Sequence, residues 1–113
     1  MHIDSTSIDF KREKHYEVLL REIVLRSSAD LQCEVFLFGS RARGKVRRAS
    51  DFDIGITGLA QADFRLVKRR IEEEVEESII PHGVDVVDFD QVGERFKTEA
   101  LRRIAVWKSA LAT

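Results

Sequence analysis

The run Val35-Phe36-Leu37-Phe38 leads into Gly39-Ser40-Arg41-Ala42-Arg43-Gly44-Lys45-Val46-Arg47-Arg48-Ala49-Ser50-Asp51-Phe52-Asp53, and Ile54-Gly55-Ile56 leads out. Read outward from its centre, a strand ends at a glycine-serine turn, a cationic loop follows, and a second strand opens with two acids. The glycines permit positive φ and close approach of backbone to a ligand. Free amides at such a turn, with a serine hydroxyl beside them, suit phosphate oxygens. Asp51 and Asp53 are two residues apart, so on a strand their carboxylates leave one face while Phe52 and Ile54 leave the other. Two adjacent carboxylates repel unless something neutralises them, and a divalent cation does so. A phosphate cradle beside metal-holding acids is the pattern of an enzyme that acts on nucleotides.

The rest of the chain sets the frame for that segment. Its 113 residues are enough for one domain, spanning 1–113, with a polar lead-in at 1–9 expected to be poorly ordered. An apolar share of 43% with 35% charged residues fits a highly charged globular protein. The net charge of −1 argues against a general polyanion binder, although Arg41, Arg43, Lys45, Arg47 and Arg48 form a local cationic run. The single cysteine, Cys33, excludes an internal disulfide and a cysteine-based zinc site. Residues Met1 to Ser5 lack the basic and apolar regions of a secretory signal, and no apolar run approaches the ~20 residues that span a bilayer. The expected compartment is the cytoplasm, with no membrane partner.

Periodicity supplies the elements. Tyr16, Leu19, Leu20, Ile23 and Val24 predict a helix over 10–27. Residues 34–38 and 52–57 read as strands. Phe64, Val67, Ile71 and Val75 mark a helix over 60–78, and the glutamates at 72–74 and 76–77 read as its solvated face. Pro81 stops that helix and His82-Gly83 completes a turn. Val84 to Phe89 is a third strand, in which a mid-strand carboxylate at Asp85 is costly unless paired or on a metal, making it the better site residue than Asp88. Asp90 is placed to cap a last helix with the stripe Val92, Phe96, Ala100, Ile104, Trp107 and Leu111, which makes Trp107 a core residue. His15 reads as a surface residue, and Cys33 as a small buried filler. The expected architecture is α+β, a short mixed sheet of about three strands flanked by helices on one side. A brief loop allows the first two strands to pair antiparallel, and the helical crossover allows the third to run parallel.

The motif Gly39-Ser40-x-Ala42-Arg43-Gly44, then after five residues Ser50-Asp51-x-Asp53-Ile54, resembles the signature of the nucleotidyltransferase superfamily related to DNA polymerase β. More narrowly the chain resembles the minimal nucleotidyltransferases (MNT proteins), whose third-carboxylate strand Val84-Asp85-Val86-Val87-Asp88 is similar to. The resemblance implies the polymerase β-like fold and two Mg²⁺ ions held by Asp51, Asp53 and Asp85. It places the ATP phosphates on Gly39, Ser40, Arg41 and Arg43, with Ser50 part of the nucleotide-binding motif and Arg43 the stronger of the two arginines. It further implies transfer of AMP to a hydroxyl, a tyrosine of a HEPN-domain toxin partner, so that the chain acts as the antitoxin of a toxin–antitoxin pair. The alternatives are an antitoxin that masks its toxin without catalysis and nucleotidyl transfer to a small molecule. Direct binding of nucleic acid is not expected, because five cations beside two acids fit one triphosphate better than a long backbone.

Overall fold

Alternation along the strands gives a sheet with two unlike faces. The computed structural model describes residues 5–44 and 51–110, with side chains described from Lys11 onward. Among these residues the order is α1 (Ser5–Ser27), β1 (Glu34–Phe38), α2 (Gly39–Ala42), β2 (Phe52–Thr57), α3 (Gln61–Glu76), β3 (Val84–Asp88), α4 (Glu94–Ala100) and β4 (Ala105–Lys108). The strands lie in the order β3-β2-β1-β4. β1 pairs antiparallel with both β2 and β4, whereas β2 and β3 are parallel, as their helical crossover requires.

On one face Val35 and Leu37 of β1, Phe52, Ile54 and Ile56 of β2 and Val86 of β3 meet the apolar stripes of α1 and α3. Leu20, Val24, Val67 and Ile71 are fully buried there. Each such aliphatic side chain contributes about 1.5–3 kcal/mol relative to exposure, so this layer is the principal stabilising one. The exposed glutamates of α3 lie on its outer side, and Glu74 pairs with Arg26. Lys108 Nζ donates to the carbonyls of Ser28 and Leu31, each at 2.6 Å, placing a cation where α1 ends.

The opposite face carries Phe36, Phe38 and Phe89, packed by Val87, Val92, Ala100 and Ile104. Helices therefore cover both faces, not one. Gly55 is required on this side, because a Cβ there would come within 2.4 Å of the Phe36 ring and 2.8 Å of Phe89. No described helix is long and apolar enough to cross a membrane.

Three further expectations are corrected. The first helix begins at Ser5, not Phe10. The sheet has four strands among the described residues, not three. The expected last helix is a short α4 followed by the edge strand β4, and its N-cap is Gly93 because Asp90 Oδ2 accepts the Gly58 N–H at 2.8 Å. Ala105 to Lys108 pair with the free side of β1, and backbone bonding there prevails over a sequence pattern equally compatible with a helix. Trp107 is buried as expected, but from a strand. Leu111 lies outside the described residues.

Candidate active site

β1 ends and the chain reverses at Gly39, whose φ of +76° is the left-handed conformation that glycine tolerates best. Space imposes the same choice, since a Cβ on Gly39 would lie 2.3 Å from Asp53 Oδ2. Ser40 is half-buried at the head of the short turn of α2, and Arg43 follows it, exposed, with Nε 3.4 Å from the Gly39 carbonyl. The turn thus carries backbone and a guanidinium to the edge of an aspartate.

Asp53 and Asp85 are register partners on the parallel strands β2 and β3, so their side chains leave the same face side by side. Asp51, two residues before Asp53, stands at the entry to β2 on that face. Gly83 packs against it so tightly that a Cβ would meet Asp51 Oδ1 at 2.9 Å. The Asp53 carboxyl is held above the usual aspartate range, first by burial and then by the negative charges of Asp85 and Asp51, with Arg41 opposing. Among the described residues, no three His, Cys, Asp or Glu side chains close tightly enough to hold a metal ion by themselves. Asp88, the weaker candidate, is engaged elsewhere, with Oδ1 accepting the Asp90 N–H at 3.0 Å.

A cavity of about 850 Å³ opens over Asp53 and Asp85, and Asp51 is not among its lining residues. One wall is Gly39, Arg43, Asp53 and Asp85, and the other is Phe96, Glu99, Arg102 and Arg103 from α4 and the turn after it. Phe38 and Val87 add apolar surface between them. Its size suits a nucleotide-sized ligand, since small-molecule sites run about 300–1,000 Å³. The sequence does not mark the second wall, because the stripe from Val92 to Leu111 reads as one helix; its signal is the cationic pair Arg102-Arg103.

Arg41 and Arg43 part company. Arg43 lines the cavity, whereas Arg41 is buried, with Nη1 3.2 Å from Glu13 Oε2 and its guanidinium carbon 3.9 Å from the centroid of the Phe52 ring. Ser50, Lys45, Arg47 and Arg48 lie outside the described residues. His15 is exposed, and Cys33 is buried with its thiol pushed up by burial, so neither joins the site.

Residues 18–111 match the sequence-family model of the nucleotidyltransferase domain. The chain belongs to that family. A 72-residue stretch is 38% identical to the "Probable protein adenylyltransferase MntA" of Haemophilus influenzae, spanning 64% of this chain and 61% of that protein. The match therefore covers less than two thirds of the relative's length. A crystal structure described as a toxin-antitoxin with AMP-PNP shares the nucleotidyltransferase fold, with a TM-score of 0.60 at 17% identity over 79% of this chain and 73% of that one. Parallel register delivers Asp53 and Asp85, from two separate strands, to one point on one face.

Proposed function

We propose that this nucleotidyltransferase domain transfers AMP from ATP to a hydroxyl, specifically a tyrosine of a HEPN-domain toxin, and so serves as an antitoxin in the cytoplasm. The observation that carries the reading is the side-by-side pairing of Asp53 and Asp85, with Asp51 on the same face and the Gly39 turn pressed against them. The relative's name, a protein adenylyltransferase, supports adenylyl transfer, and the toxin-antitoxin description of the structural neighbour supports the antitoxin role; the tyrosine and the HEPN partner rest on the resemblance of the motif.

Asp51, Asp53 and Asp85 fit magnesium: they are hard oxygen donors whose crowding raises the proton affinity of Asp53, which a cation would relieve. The open arrangement also suits Mg²⁺, which uses one or two carboxylates plus waters and substrate phosphates and not an all-protein cage. The expected complement is two ions held by these three residues. When bound, they supply charge neutralisation on the triphosphate and acidification of the acceptor hydroxyl.

The protein's own groups account for the remaining steps. The Gly39 turn and the Ser40 hydroxyl bind terminal phosphate oxygens, and Arg43 reaches them with a fork of N–H donors. Ser50 is assigned to the same nucleotide-binding set through the motif. Arg41 acts from behind as a fixed positive charge that favours ionised Asp53. Asp85 stands beside the incoming hydroxyl and takes its proton as the oxygen bonds to the α-phosphorus and the bond to pyrophosphate breaks. Phe38 and Phe96 supply apolar lining beside that exchange.

The test is incubation with α-labelled ATP, Mg²⁺ and a candidate HEPN protein. Label should move to a tyrosine of the partner and vanish with Asp53→Asn. Equal labelling by that variant refutes the role of the acid. A triple Asp51→Asn, Asp53→Asn, Asp85→Asn variant that still neutralises the toxin would establish masking in its place.

A further inference from the structure

Arg41 belongs to a buried charged cluster whose other two members, Glu13 and His82, the proposed chemistry does not use. Glu13 of α1 is 7% exposed and Arg41 is 5% exposed, and His82 is nearly as enclosed. The Glu13 carboxylate serves both partners: Arg41 Nη1 lies 3.2 Å from Oε2, and His82 Nε2 lies 2.9 Å from Oε1 and 2.8 Å from Oε2. The His82 ring meets Tyr16 and Phe52 edge to face at 5.8 and 5.9 Å, while Arg41 stacks on the same Phe52. A carboxylate buried among three elements is costly to desolvate, so its retention calls for a function beyond packing.

Its position supplies that function. Arg41 is two residues beyond Gly39, the turn that presses on Asp53. His82 immediately precedes Gly83, the turn that presses on Asp51 and leads into the strand bearing Asp85. The two turns belong to segments some forty residues apart in sequence and touch the acidic row from its two sides. We infer that Glu13 is a positioning residue: one carboxylate ties the Gly39 and Gly83 turns together and thereby sets the spacing of Asp51, Asp53 and Asp85 for a divalent cation. Neither Glu13 nor His82 lines the cavity, so both act through the turns. The inference rests on the metal role proposed above for the three aspartates.

The experiment measures Mn²⁺ binding to the full chain by electron paramagnetic resonance, without nucleotide or partner, together with a thermal melt. Glu13→Gln keeps the shape but removes the charge that holds both partners. It should weaken Mn²⁺ binding about tenfold or more, the range typical of residues that orient metal ligands. His82→Ala cuts only the arm to Gly83, leaves the Arg41 pair, and should weaken binding by a smaller factor; it decides the matter alone if Glu13→Gln does not fold. Ile71→Val trims the core on α3, away from both turns, and serves as the stability control with unchanged binding. Wild-type affinity in the folded Glu13 and His82 variants, or equal weakening in Ile71→Val, overturns the inference while the metal role stands. A wild-type chain that binds no Mn²⁺ overturns the metal role itself, and the inference with it.

Discussion

Asp53→Asn should abolish nucleotidyl transfer and, in the absence of divalent cations, stabilise the fold. Adjacent strands are about 4.8 Å apart, so the facing charges of Asp53 and Asp85 lie roughly 5 Å apart. At effective dielectric constants between about 20 and 80, two like charges at that distance repel by about 1–3 kcal/mol. Asp85 is exposed and Asp53 only half-buried, so solvent screening selects the lower end, near ~1 kcal/mol. For a domain of this size that is a rise in Tm of about 4 °C. The pH dependence follows from the direction of the shift. Folding raises the Asp53 pKa, so the native state loses stability as pH climbs from the ordinary aspartate value through the raised one. The advantage of the Asn variant should therefore be full at pH 7.5 and absent at pH 3, where Asp53 is protonated in folded and unfolded chains alike. Differential scanning calorimetry in EDTA at the two pH values measures it, and Mg²⁺ should raise the wild-type Tm more than that of the variant. A variant that melts below wild type at pH 7.5 in EDTA, or that still transfers AMP, would refute the electrostatic account.

Gly39→Ala forces a Cβ to within 2.3 Å of Asp53 Oδ2 at positive φ, so transfer should fall at least 100-fold while circular dichroism shows a retained fold with about 1–2 kcal/mol lost. Gly55→Ala drives a methyl into the Phe36 and Phe89 rings and should cost about 1–3 kcal/mol by urea denaturation. Trp107→Ala removes the buried anchor of the edge strand and should cost about 3 kcal/mol, with hydrogen exchange accelerating first in residues 105–108.

Local rules made much of this protein legible in its chain. Runs of β-branched and aromatic residues placed β1, β2 and β3, the two-residue period put Asp51 and Asp53 on the face opposite Phe52 and Ile54, and helical spacing marked α1 and α3. The Gly39-Ser40 turn was visible because only a few residue types accept positive φ, and the need at Gly39 proved to be both conformational and spatial. The last thirty residues were less legible. The stripe from Val92 to Trp107 is as compatible with a helix as with a helix and a strand, and the open side of β1 decides between them through backbone bonds that no local pattern encodes.

The same division runs through the site. Residue types alone determined which side chains could hold a cation or a phosphate, because charge and donor geometry belong to the side chain. Glu13 even left a trace, as an acid in register with the apolar stripe of Tyr16 and Leu20, but its partners Arg41 and His82 lie 28 and 69 residues away. Only tertiary structure could pair Asp53 with Asp85, send Arg41 inward and Arg43 outward, and bring Arg102 and Arg103 across the cavity. Each of those depends on strand register and on contacts between distant segments, which hydrogen bonding and burial settle only when the whole chain is folded.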